Sequence, residues 1–185
     1  MAATGVRISE AIGLQWRHLA LDGSTAHVKI RRAIVRGRVQ PPKSKHGRRE
    51  IPLEHALVLE LRRHRASTEW HRDEDLVFPS LAGTPFEPGN LRRRVLAPAA
   101  EEVGAPWAGF HTFRHTCASM LFERGANAKQ VQRWLGHHSA SFTIDTYIHL
   151  LSDDLGGPLE LAEELGVATE MATRQPEVAR NDAAV

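Results

Sequence analysis

Apolar residues follow two rhythms along this chain. From about Arg7 to Leu19, Ile8, Ala11, Ile12, Leu14 and Trp16 fall on a helix-like stripe. Asp22-Gly23 follows as a turn. Residues 26–36, AHVKIRRAIVR, are rich in β-branched side chains and roughly alternate, which predicts a strand that Gly37 turns into a short return strand. Glu50-Ile51-Pro52-Leu53 adds another short strand, so a small antiparallel sheet of about three strands is expected. Every later segment reads as helix, over about 54–66, 88–103, 112–124, 128–135 and 139–147. Gly125 suits a helix C-terminus, and Asn127 with Gln130 has the form of a capping box. The expected fold class is α+β and mostly α-helical, with the small sheet packed against a helical bundle.

Beyond residue 150 the pattern changes. Leu155, Leu159, Ala162 and Leu165 predict one more short amphipathic helix after a Gly-Gly pair. Residues 168–185 are polar and Ala-rich with little periodicity, which predicts a disordered tail. The domain expectation is therefore one folded unit over 1–167 and a tail over 168–185. The terminal helix can pack on its own domain or dock on a neighbour, and intramolecular packing is the plainer reading.

Composition adds exclusions. With 185 residues, 42% hydrophobic and 25% charged, the chain is long enough for an ordinary core without disulfide or metal staples. No apolar run is long enough to cross a bilayer as a helix, and the opening MAATGVRISEAIGL lacks the form of a secretory signal. One cysteine, Cys117, excludes an internal disulfide and fits a reducing, cytoplasmic setting. The overall charge of +2 conceals a gradient, with residues 1–65 at +9, 66–149 at −1 and 150–185 at −6. Between Lys29 and Arg49 basic residues occur without a single acid. A polyanion such as double-stranded DNA is the natural partner for that stretch, through Arg31, Arg32, Arg36, Arg38, Lys45, Arg48 and Arg49. A solvated basic hairpin would carry the same charges, so charge alone names no function.

Four segments carry candidate chemistry. In His111-Thr-Phe-Arg114, a helix capped by Thr112 would place His111 and Arg114 on one side of its N-terminus, where backbone N–H groups favour an anion. Arg114 could fork onto two phosphate oxygens, and His111 could exchange a proton near neutral pH. Leu135-Gly136-His137-His138 comes next, and Tyr147, the only tyrosine, lies on the helix that follows. A tyrosine among cationic neighbours can serve as a nucleophile toward phosphorus, although most single helical tyrosines are half-buried core residues. Arg7, on the first helix, and Lys43, in Pro42-Lys43-Ser44-Lys45, complete the set, with Glu10 placed to buttress Arg7.

Taken together, ATGVRISEAIGL, PPKSKHGRREIPL, HTFRHTCASML and LGHHSASFTIDTYIHL resemble, in order, the motifs of the catalytic domain of tyrosine recombinases, the phage-integrase family. The resemblance covers about residues 3–150. It implies DNA strand cleavage and rejoining through a 3′-phosphotyrosyl intermediate without metal, ATP or other cofactor. Tyr147 would be the nucleophile, Arg7 and Arg114 would hold the non-bridging oxygens, and Lys43 would protonate the leaving 5′ oxygen. His111 would act as acid or base toward the nucleophile, and His137 would hydrogen-bond the phosphate. Lys45 could fill the role of Lys43, and His138 adjoins His137; the PK[ST] and Leu-Gly-His patterns select Lys43 and His137. The resemblance further implies a homo-tetramer on DNA, with the Leu155–Leu165 segment a candidate for exchange between protomers, and nucleoid association when bound.

Relatives in this family carry a separate N-terminal core-binding domain, whereas Met1 precedes Arg7 by only six residues. The expectation is a catalytic domain truncated at its N-terminus, with its activity in question. Two rival readings remain, a type IB topoisomerase-like activity and a non-catalytic DNA-binding remnant. A zinc site built on the His111/His115 pair lacks a second Cys/His cluster at ligand spacing.

Overall fold

The computed structural model describes residues 1–23, 25–42 and 45–147, apart from the side chains of Lys45 and Ala140. The candidate Lys43, the Leu155–Leu165 segment and the tail over 168–185 lie outside the described residues.

The first helix, α1, is a single turn, Ile8–Ala11, not the long helix that the apolar stripe predicts. The backbone beyond it finds partners elsewhere. Trp16 and Arg17 donate their N–H groups to the carbonyls of Asp75 and Asp73, and the Val77 N–H returns to the Leu14 carbonyl. Trp16 is completely buried beside Leu21, Val58, Leu61 and Val77. Tertiary hydrogen bonds and burial of one large aromatic thus replace the helical ladder.

Strands β1 (Leu19–Ala20), β2 (His27–Ile30) and β5 (Arg49–Pro52) form a three-stranded antiparallel sheet in the order β1-β2-β5. Strands β3 (Ala33–Val35) and β4 (Arg38–Gln40) pair separately as a hairpin. The predicted strand over 26–36 is therefore two strands, broken at Arg31-Arg32 and shared between two sheets. Register places Val28 opposite Ile51 and Ile30 opposite Arg49. Side chains alternate along a strand, so Arg49 shares the inner face of β5 with Ile51.

Helix α2 spans His55–Ser67. Helix α3, Pro88–Leu91, continues through a π-helical stretch, Arg92–Leu96, into α4, Ala97–Glu102. Pro98 has no N–H to give to the preceding turn, a sufficient reason for the ladder to widen there. Helix α5 spans Phe110–Glu123, α6 Ala128–Leu135 and α7 Ala140–Tyr147. The Asn127/Gln130 capping box is formed in both directions, at 2.8 and 3.0 Å. Thr112 does not begin α5; the helix starts at Phe110, and the Thr112 hydroxyl instead accepts the Gly109 N–H at 2.9 Å. Val6, Val28, Ile30 and Ile51 form one core cluster, and Cys117, Ala118, Val131, Leu135 and Tyr147 form another.

Candidate active site

Arg7 stands at the N-terminus of α1 and is locked to Glu10, one turn on. Its backbone N–H donates to Glu10 Oε2 at 2.8 Å, and its Nη1 to Oε1 at 3.0 Å. Glu10 is 4% exposed and takes a second, two-pronged pair from Arg49, Nη1 to Oε1 at 3.0 Å and Nη2 to Oε2 at 2.9 Å. Burial pushes the Glu10 carboxyl up, but the hydrogen bonds and charges of Arg49 and Arg7 outweigh it and hold the group below its ordinary range.

Three arginines converge on the last turn of α6. Arg49 Nε donates to the Trp134 carbonyl at 2.7 Å, Arg114 Nη2 to the Leu135 carbonyl at 2.7 Å, and Arg7 Nη2 to the Gly136 carbonyl at 3.2 Å. A helix C-terminus leaves its final carbonyls without intrahelical partners and carries a partial negative charge, so it is a suitable anchor for guanidinium groups. Arg114 is buried in α5 and also donates to the Gly5 carbonyl. Burial, with Arg7 and Arg49 nearby, lowers its pKa to about 10, and the guanidinium remains charged at neutral pH.

Gly136 closes α6 in the left-handed conformation, φ 69°. A Cβ there would stand 2.9 Å from the His46 carbonyl oxygen and 3.0 Å from Arg49 Nη1. Only glycine lets the three-arginine cluster and the β4–β5 connection approach this turn. His137, the next residue, is buried, and its Nδ1 shares a 2.9 Å hydrogen bond with the Thr143 hydroxyl. Burial and then the charges of Arg114, Arg7 and Arg49 lower its pKa to about 4, so the ring is neutral at pH 7. His138 is exposed and packs on Phe142 at 5.3 Å.

A cleft of about 630 Å³ opens between these groups and the β3–β4 hairpin, lined by Arg7, Gly47, Gly136, His137 and His138 among others. Pro41 and Pro42, at the start of the connection that carries Lys43, also line it. The structure thus brings Arg7, Arg114 and His137 together around one turn.

Tyr147 lies at the C-terminal end of α7. It is 3% exposed, packed on the core of α5 and α6, and it is not among the described residues lining the cleft. Burial raises its pKa, with the Arg114 charge only partly opposing. Its hydroxyl pairs with His115 Nδ1 at 2.8 Å, whereas His111 is exposed on the first turn of α5. His115 was legible only as the residue after Arg114 and the i+4 mate of His111. Among the described residues, no group of three or more His, Cys, Asp or Glu could hold a metal ion.

The basic residues expected to meet DNA divide. Arg36 and Arg38 are exposed on the β3–β4 hairpin, and Arg48 is exposed before β5. Arg31 pairs with Glu50 at 2.6 Å, and Arg32 is half-buried. Arg49 is not a surface cation at all, because the strand register turns it inward onto Glu10. Lys45 contributes its backbone to a short 3-10 turn.

Comparison with known proteins agrees with this architecture. The phage integrase family profile matches residues 1–153. A tyrosine recombinase XerC-like protein of Caldanaerobacter subterraneus subsp. tengcongensis is 27% identical, the match covering 88% of this chain and 47% of that protein. Tyrosine recombinase XerD of Rhizobium meliloti is 32% identical over 83% of this chain and 46% of its own length. The chain spans about half the length of such relatives. Among solved structures, the XerA recombinase superposes with a TM-score of 0.63 at 25% identity, covering 82% of this chain and 50% of that one. The Tn1549 transposon integrase in complex with circular intermediate DNA gives a TM-score of 0.65 at 20% identity, covering 90% and 56%. Among the described residues, no helix is long and apolar enough to cross a membrane.

Proposed function

The chain belongs to the phage integrase family, and from that premise we propose that it carries the strand-cleaving centre of a site-specific DNA recombinase. The observation that carries the reading is the arrangement of Arg7, Arg114 and His137 around the end of α6, with Tyr147 in the adjoining core and within electrostatic reach of Arg114. Two fixed guanidinium groups can neutralise a phosphodiester as charge redistributes in the transition state, without a metal. Tyr147 attacks phosphorus, forming a 3′-phosphotyrosyl bond and releasing a 5′-hydroxyl. Lys43 protonates the leaving oxygen, and His137, held neutral, donates a hydrogen bond to the phosphate. His111, exposed at the mouth of α5, meets the DNA side of the centre. Rejoining reverses these steps, because the phosphotyrosyl ester keeps the energy of the broken phosphodiester for the returning 5′-hydroxyl.

Double-stranded DNA is the partner, approached by the β3–β4 hairpin through Arg36 and Arg38. Tetramer assembly on DNA, with the Leu155–Leu165 segment exchanged between protomers, is the working arrangement, at the nucleoid. A relaxing topoisomerase and a purely DNA-binding remnant are not favoured, since the relatives are named recombinases and integrases.

Covalent trapping tests the proposal. The chain is mixed at low salt with random-sequence nicked duplexes, denatured, and searched by mass spectrometry for a nucleotide adduct on Tyr147, with Tyr147→Phe alongside. An adduct lost in the mutant is expected. Binding without an adduct would sink strand cleavage and leave the binding remnant.

A further inference from the structure

The hydroxyl of Tyr147 has one hydrogen-bond partner among the described residues, and it is His115 rather than His111. The two rings lie 5.6 Å apart, and Phe122, two turns further along α5, packs on the tyrosine at 5.8 Å. His115 directly follows Arg114 on α5. Successive helical residues point about 100° apart, so α5 offers a guanidinium toward the Leu135 carbonyl and an imidazole toward α7 from adjacent positions. His115 is exposed as a residue, so a proton received at its ring can pass to water.

We propose that His115 is a catalytic residue, the base that takes the Tyr147 proton when the hydroxyl oxygen attacks a DNA phosphate; this rests on the strand-cleaving reading. As the Oη–P bond forms, the Oη–H bond breaks and its proton moves to His115 Nδ1, giving an imidazolium. The P–O5′ bond breaks, and the 5′ oxygen leaves with that electron pair and takes a proton from Lys43. In rejoining, the imidazolium returns its proton to Oη. The physical need for a base is clear, because a tyrosine is a phenol at neutral pH and burial raises its pKa further. The means is also present. Partial burial and then the charges of His111 and Arg114 keep His115 neutral, so in its Nε2–H tautomer Nδ1 is free to accept. The described titratable groups facing His115 are His111 and Arg114 on its own helix and Tyr147 on α7.

The experiment measures single-turnover formation of the phosphotyrosyl adduct against pH for the wild-type chain, His115→Gln, His115→Ala and His111→Ala. Glutamine can still accept the phenol hydrogen bond but cannot take up the proton, which separates a base from a mere clamp. Both His115 variants are expected to lose about 100-fold or more in rate and to lose the acid limb of the profile, which His111→Ala retains. His115→Gln cleaving at the wild-type rate, or loss of the limb in His111→Ala alone, overturns the proposal. Imidazole ¹⁵N spectra of the full chain without DNA give an independent arm. The His115 Nδ1 signal should move in Tyr147→Phe, and an unmoved signal also overturns it. A wild-type chain that binds duplex yet forms no adduct overturns the strand-cleaving reading, and the base role with it.

Discussion

Arg49 and Glu10 form a two-pronged ion pair in the interior, both about 5% exposed or less, at 2.9 and 3.0 Å. The same carboxylate holds Arg7, so one acid aligns two cations while Arg49 ties β5 to the end of α6. Removing one member of a buried pair leaves an uncompensated charge. Arg49→Met is expected to cost about 3 kcal/mol in urea unfolding, whereas Arg36→Met on the exposed hairpin should change stability by less than about 0.5 kcal/mol. Equal effects would show that Arg49 is not the internal clasp.

Gly136 sits at φ 69° with the His46 carbonyl and Arg49 pressed against the place a Cβ would occupy. Gly136→Ala should therefore lose about 1–3 kcal/mol from backbone strain, and more if the arginine is displaced. Thermal or urea unfolding measures it. A neutral substitution would mean that the turn adjusts without disturbing the three-arginine anchor.

The pKa of His137, lowered to about 4 by burial and by the neighbouring arginines, has a direct thermodynamic consequence. Between that value and the ordinary one the unfolded chain binds the proton and the folded chain does not. Stability from this group is thus complete above about pH 6.5 and is lost as pH falls toward about 4. Unfolding free energy measured across that range should fall with pH in the wild-type chain and fall less steeply in His137→Gln. Parallel curves would exclude His137 as the source.

Arg36 and Arg38 project from the β3–β4 hairpin without being buried. If each meets one phosphate of a duplex, their joint replacement by alanine should reduce the slope of log affinity against log salt by about 1.8, with little sequence dependence. Fluorescence anisotropy over a salt series tests this, and an unchanged slope would move the DNA contact elsewhere.

Much of this chain was determined by local pattern. The start of helix α6 could be read from the Asn127/Gln130 box because capping is chemistry among neighbours in sequence. The four motifs likewise marked Arg7, Arg114, His137 and Tyr147 as candidates, and three of these residues meet at one turn. Only the tertiary structure decided the rest. The stripe ending in Trp16 promised a helix, but hydrogen bonds to Asp73 and Asp75 took its backbone away. Arg49 looked like one more cation in a basic run until strand register turned it inward onto a carboxylate beside Ile51. His115 became visible as the partner of Tyr147 only when α5 and α7 packed together. Periodicity and capping are local and can be read along a chain; the partners of a buried charge or a phenol are set by which elements meet, and that depends on long-range packing.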